Sequence, residues 1–211
     1  QLEAALNGDL PEGWDSDIPT FDPEKPQATR NVGGVVLNAI ADKVPYLIGG
    51  SADLNPSTKT FIKSSGYFGK GAYENKNIPW GVREFGMSTG VSGITLHGGL
   101  RGFGSTFYVF TDYARPAIRL AAIMKIPTLY VMTHDSIGVG EDGPTHQPVE
   151  HLASVRIIPN LTVFRPADAN ETAEAYKAAM LKKDGPSMLV LTRQNLQTLD
   201  QSKYASAAGV A

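Results

Sequence analysis

Apolar positions along this chain fall into helical and strand-like rhythms by turns. From 28 to 44, Val32, Val35, Val36, Ala39 and Ile40 recur at the period of an amphipathic helix, and Tyr46-Leu47-Ile48 then forms a short buried-strand run. That run ends in Gly49-Gly50-Ser51-Ala52-Asp53, where small residues would let a loop pass close to a ligand. Residues 54–79 are rich in Ser, Thr, Gly, Lys and Asn and show little periodicity. Ile78, Trp80 and Val82 alternate as in a strand, after which Met87, Val91 and Ile94 keep helical spacing. Leu100 to Phe103 predicts another strand, and Thr106 to Ile123 a helix that must accommodate Pro116, with Phe107, Phe110 and Tyr113 on one face of it. Pro127 to Met132, Leu161 to Phe164 and Ser187 to Leu191 predict further buried strands. Asp168 with Glu171 makes a capping box for a helix through Leu181.

Strands alternating with helices predict an α/β fold, with a mostly parallel β-sheet covered by helices on both faces. In such sheets ligands bind beyond the carboxyl ends of the strands. Glu84, at a predicted strand-to-helix junction, has that address, and so does Arg193 just past the last strand. Glu84 can also be read as a first-turn carboxylate complementing the helix dipole.

A length of 211 residues with 42% hydrophobic content fits one domain around one core. The opening 26 residues are polar and punctuated by Pro11, Pro19, Pro23 and Pro26, with Trp14 and Ile18 as apolar anchors. They read as a linker ahead of a domain over 27–196, and 197–211 as the start of a second linker. A net charge of -2 gives no broad basic field for nucleic acid or membrane, so any phosphate is bound locally. With no cysteine, no signal-peptide pattern and no apolar run of about 18 residues, the expectation is a soluble, cytoplasmic protein.

The stretch from His134 to Pro148 holds two of the four histidines together with Asp135, Glu141 and Asp142. A metal site would use these residue types, but their spacing matches no recognised zinc pattern. A nucleotide-binding glycine loop is a second reading, yet Gly138-Val139-Gly140 lacks the third glycine of the dinucleotide fingerprint. The third reading, a loop bringing imidazole and carboxylate groups to a polar substrate, suits the composition best.

Five motifs together carry a resemblance. Gly-Gly-Ser-Ala-Asp-Leu at 49–54, Val-Arg-Glu at 82–84, Thr-Phe-Tyr-Val-Phe-Thr-Asp-Tyr-Ala at 106–114, the 134–148 stretch and Phe-Arg-Pro-Ala-Asp at 164–168 closely resemble transketolases, over roughly residues 12–196. The resemblance implies the thiamine-diphosphate-binding fold, specifically its pyrimidine domain. It implies part of an enzyme of the pentose phosphate pathway that moves a two-carbon ketol unit from a ketose phosphate to an aldose phosphate. In that family the residue matching Glu84 hydrogen-bonds N1′ of the aminopyrimidine and stabilises the imino tautomer that deprotonates C2 of the thiazolium. A carboxylate buried beside aromatics suits the role, because it can share a proton with a weakly basic ring nitrogen.

By the same resemblance, Glu84 and His146 are the expected catalytic residues, and Asp53, Phe107, Phe110 and Tyr113 join Glu84 in holding thiamine diphosphate. His146 and Asp142 match contacts to substrate hydroxyls, while Arg30, Ser57, His134 and Arg193 match a phosphate clamp for sugar-phosphate substrates. Phe85 departs from the pattern, standing where many relatives carry His. No metal ligand is expected from this chain. Mg2+ or Ca2+ would be held with the diphosphate by an amino-terminal domain through a Gly-Asp-Gly motif and an Asn that this sequence lacks; Gly8-Asp9 is followed by Leu and does not match. A carboxy-terminal domain is missing too, so the isolated chain is expected to be inactive. The family's cofactor lies between two subunits, which implies a homodimer. Two other readings stand beside this one: a dihydroxyacetone synthase segment, and a stand-alone binding module without catalysis.

Overall fold

The computed structural model describes residues 2–210. In chain order the helices are α1 (Leu2–Leu6), α2 (Thr29–Lys43), α3 (Asn55–Thr58), α4 (Glu84–His97), α5 (Thr111–Ile123), α6 (His151–Arg156) and α7 (Ala169–Leu181). The strands are β1 (Gln27–Ala28), β2 (Leu47–Ser51), β3 (Arg101–Phe107), β4 (Leu129–Thr133), β5 (Thr162–Phe164), β6 (Ser187–Leu191) and β7 (Asn195–Leu196). β2, β3, β4, β6 and β5 lie in that spatial order in one all-parallel sheet. β1 and β7 form a small antiparallel ribbon.

Successive side chains of a strand point to opposite faces, and a sheet covered on both faces buries both sets. Leu129, Val131, Leu189 and Leu191 pack with α2 and α7, whereas Tyr130, Met132, Met188 and Val190 pack with α4 and α5. The single core expected from length is therefore two apolar clusters with the sheet between them. The fold class is as the alternation of strands and helices predicts.

Within the stretch 1–26, read as a linker, described residues are seated on this body. Trp14 and Phe21 join the α2/α7 cluster, and Asn170 on α7 accepts from Phe21 N at 2.9 Å and donates to Phe21 O at 3.2 Å. At the other end, Leu199 N donates to Asp168 Oδ2 at 2.8 Å, while Asp168 Oδ1 caps α7 by accepting from Glu171 N at 2.8 Å.

Three local expectations are corrected. The Ile78-to-Val82 strand does not form: Asn77 makes isolated bridges, and Gly81 turns the chain with φ +66°. The buried Asn77 side chain organises the weakly periodic stretch before it, accepting from Ile62 N and donating to the carbonyls of Ile62, Ser65 and Gly66. Gly49 and Gly50 lie inside β2 rather than in a ligand loop. A Cβ on Gly49 would meet Phe103 O at 2.0 Å and one on Gly50 would meet Ile78 O at 2.3 Å, so their smallness serves close backbone packing. Finally, the helix expected from Thr106 starts only at Thr111. Phe107 closes β3, and Tyr108–Phe110 form a single 3-10 turn.

Candidate active site at the carboxyl ends of the strands

Because the sheet is parallel, the residues following β2, β3, β4 and β6 emerge along one edge. Ala52, Asp53 and Leu54 come from the end of β2, Phe107 and Phe110 from the end of β3, Tyr113 from α5, Val82 and Glu84 from the entry to α4, and His146 from the loop after β4. Together they line a cleft of about 580 Å³. Glu84 is the first residue of α4 and only 8% exposed. Trp80, packed against the α4/α5 cluster, pins the segment that delivers it.

The aromatic residues converge, although not as a helix face. Phe107 and Phe110 are parallel with ring centroids 6.0 Å apart, Phe110 and Tyr113 follow at 6.0 Å, and His146 stands edge-on to Phe110 at 5.4 Å. The result is a row of ring faces beside one buried carboxylate.

Beside the cleft lies a second group, built from positions far apart in sequence. The small ribbon and the bonds from Thr29 and Arg30 to Thr192 bring the start of α2 to the end of β6. Arg30 donates from one terminal nitrogen to Ser57 O at 2.8 Å, and the same nitrogen lies 3.4 Å from His134 Nε2. Arg193 reaches Glu141 at 3.4 Å and Asp142 at 4.0 Å. Ser57 thus enters through its carbonyl. The two groups meet where the His134 ring stacks on Phe107 at 3.6 Å.

Burial, with the Arg30 and Arg193 charges after it, pulls the His134 imidazole down to about 3. The ring is neutral at physiological pH, and its tautomer follows from its neighbours. A guanidinium can only donate, so Nε2 accepts from Arg30 and Nδ1–H donates to Thr133 Oγ1 at 2.9 Å. The Arg30 guanidinium is itself pulled down by burial and by Arg193, with Asp142 opposing. Two site residues at strand ends, Asp53 (φ +62°) and His134 (φ +60°), hold left-handed backbone conformations.

All six residues expected to be catalytic or to hold cofactor line the cleft: Asp53, Glu84, Phe107, Phe110, Tyr113 and His146. Arg30, Ser57, His134, Asp142 and Arg193 gather beside it. Sequence reasoning did not pick out Ala52, Leu54 and Val82 in the cleft wall, nor the Thr133 bond to His134. Ala52 and Leu54 lie inside the Gly-Gly-Ser-Ala-Asp-Leu motif at 49–54 and Val82 opens the Val-Arg-Glu motif at 82–84, so the signal was membership of a motif. Among the described residues the one group of potential metal ligands within 4.8 Å of one another is Asp112, Glu150 and His151. It is not part of the cleft lining, and the His134–Pro148 loop does not form such a group.

Residues 25–198 match the family described as "Transketolase, pyrimidine binding domain". The chain belongs to the transketolase family. It is 56% identical over 210 residues to the transketolase of Bacillus subtilis (strain 168), covering 100% of this chain and 32% of that one. Among solved structures, the transketolase from Leishmania mexicana superposes with a TM-score of 0.93 at 42% identity, over 99% of this chain and 31% of that one. A Pichia stipitis transketolase in complex with sedoheptulose-7-phosphate gives 0.93 at 44% identity, over 99% and 32%. The chain thus spans about a third of the length of the transketolases it matches.

The residues present fit one part of a thiamine-diphosphate cofactor well. A flat aminopyrimidine suits a row of ring faces with a buried carboxylate beside it, in a cleft of this volume. The charged residues in the cleft wall are Asp53 and Glu84, so the wall offers no cation to a diphosphate. The site fits the pyrimidine half and leaves the diphosphate half to other residues.

Proposed function

We propose that this chain is the pyrimidine-binding portion of a transketolase that transfers a two-carbon ketol unit from a ketose phosphate to an aldose phosphate. The observation that carries the reading is the join between two unlike groups: an aromatic cleft around the buried Glu84, and a cationic cluster around Arg30 and Arg193, linked by the His134–Phe107 stack. When bound, thiamine diphosphate supplies the nucleophilic carbon and the electron sink that a polypeptide lacks. Phe107, Phe110 and Tyr113 would clamp its pyrimidine ring and exclude water from one side. Glu84 would hold and return a proton at a ring nitrogen. His146, edge-on to Phe110, is placed to exchange protons with the sugar hydroxyls at the mouth of the cleft. Arg30, His134 and Arg193 take the sugar phosphate, and Asp142 takes a hydroxyl.

The residues that hold the diphosphate, and with it a divalent cation, belong outside this chain, since the cleft wall has two carboxylates and no Lys or Arg to meet a diphosphate. The same reading includes a homodimer, in which a second subunit seated on the exposed Val82 and Tyr113 of the cleft lining completes the site. Glu84→Gln in the full-length parent tests the reading. Gln keeps the volume and can still hydrogen-bond, but it cannot hold or return a proton. Turnover at saturating cofactor should fall by about 10²–10⁴, while the melting temperature stays within about 2 °C of wild type. Proton exchange at C2 of bound cofactor, followed by NMR, should fall in parallel; exchange within a fewfold of wild type would leave Glu84 as a helix-start residue only.

A further inference from the structure

His134 carries both neighbours of the cluster, Phe107 through its ring face and Arg30 through Nε2, from a backbone conformation that residues other than Gly rarely adopt. Such a turn persists where its two flanks are fixed. The flank before it is Thr133, in β4, paired with Phe107 on one side and Leu191 on the other. The flank after it is Asp135, whose side chain is only 1% exposed. That buried carboxylate is met by Arg165, which follows β5: Nε donates to Asp135 Oδ2 at 3.1 Å and a terminal nitrogen donates to the same oxygen at 2.8 Å. The Arg165 side chain is 40% exposed and is not among the residues lining the cleft. Tyr108, in the turn between Phe107 and Phe110, shares this neighbourhood. Burial and then the opposing charges of Arg156, Arg165 and Asp135 act on its phenol, with burial pushing it well above its ordinary range.

We propose that Arg165 is a positioning residue for the phosphate-binding cluster: by holding Asp135 it fixes the left-handed turn at His134, which stacks the imidazole on Phe107 and aims Nε2 at Arg30. The proposal rests on the clamp reading given under Proposed function. Without Arg165 the Asp135 carboxylate is a buried charge without its cation, a state that drives the side chain toward solvent. That movement pulls on the residue before it. The substrate phosphate then meets a displaced imidazole and a displaced Arg30, while Glu84 and the aromatic row stay in place.

The test uses the full-length parent enzyme with Arg165→Met and Arg165→Lys, and with Arg193→Ala in parallel, assayed on phosphorylated and unphosphorylated ketose donors. R165M should raise KM for the phosphorylated ketose about three- to sixfold, less than the about tenfold expected for loss of a direct charge-assisted bond. Its kcat, and KM for the unphosphorylated ketose, should stay within about twofold, because neither depends on His134. R165K should recover part of the loss, since its ammonium can still donate to Oδ2. Equal KM increases for both donors, or no increase for either, would overturn the positioning role. If R193A separates the two donors and R165M does not, the clamp stands and this proposal falls. If R193A fails to separate them, the clamp reading is wrong and the proposal falls with it. Should R165M not accumulate as folded protein, Arg165→Gln, with one donor left, carries the same expectation at intermediate size and the same outcomes.

Discussion

The aromatic cleft and the cationic cluster sit side by side, yet they are built on different principles. The cleft is an extension of the sheet: Phe107 is itself the last residue of β3, paired with Thr133, and Glu84 opens a helix packed on that strand. The cluster is assembled from side chains that meet only after folding, Arg30, Arg193 and the His134–Asp142 loop, and its ion pairs are long and half open to solvent. Glu141, which faces Arg193 at 3.4 Å, is 88% exposed. An exposed pair of this kind contributes little to stability. It is therefore easily exchanged for a ligand anion, whereas the cleft needs no rearrangement to receive a ring. A rigid half suits the resident group, and an exchangeable half suits the group that comes and goes.

The sharpest way to break this contrast is at the one side chain that serves both halves. Phe107→Ala removes the strand-end ring and the His134 stack together. Burial of a Phe side chain of this kind is worth about 3 kcal/mol at the low end of the large-to-small range, appropriate for a residue at a cleft wall where water can enter. Denaturant unfolding should show that loss, and cofactor affinity and KM for phosphorylated donors should both worsen. A variant in which only one of the two changed would show that the halves are independent.

Next in size is an effect of acid on the cluster. His134 is held below its unfolded value, so the unfolded chain binds the proton first. The stability it contributes is complete above about pH 6.5 and is lost as the pH falls toward about 3. Between pH 6.5 and 4 the wild type should lose about 2–3 kcal/mol more than His134→Gln, after allowance for water reaching the open side of the cluster. Parallel urea melts of the two proteins across that range check it. Coincident pH profiles would remove the buried neutral imidazole from the account.

The smallest of these effects is also the most selective. Arg193→Ala in the full-length parent should raise KM for phosphorylated sugars by about tenfold, the lower bound for a charge-assisted bond, and leave unphosphorylated ketoses nearly unchanged. Stability should move by less than about 1 kcal/mol, because the pairs lost are solvent-screened. Steady-state kinetics on the two donor classes decides it.

Much of this was legible in the chain because both faces of the sheet are covered. Unbroken apolar runs such as Leu129 to Met132 and Met188 to Leu191 are what a doubly buried strand requires. The error at β3 has an equally physical cause. The strand expected over Leu100 to Phe103 runs on to Phe107 through Gly104, a poor strand former, and α4 lies so close that a Cβ on Gly102 would meet Val91 O at 2.5 Å. Packing chose glycine where propensity would choose valine, and the threefold aromatic spacing that continued past it was then mistaken for helix. In the site, pattern alone put Glu84 at the start of α4 but left its role open between a ligand contact and a helix-start carboxylate. Arg30, Ser57 and Arg193, separated by up to 163 positions, carry no local signal, and only resemblance to a family brought them together. The Asp135–Arg165 pair escaped because an ion pair between two strand ends, buried on the Asp135 side alone, leaves no periodic trace.

The left-handed backbone at Asp53 and His134 sets a rule for anyone building libraries to alter ligand recognition at this site. Both positions touch or adjoin the ligand-binding space and would be natural choices for randomisation. Asn and Gly are compatible with such dihedral angles, while Val, Ile and Thr are not. A fully degenerate codon at either position would spend much of its diversity on variants whose main chain has moved before any new substrate is met. A restricted alphabet of Asn, Asp, His and Gly keeps the turn and lets selection act on recognition.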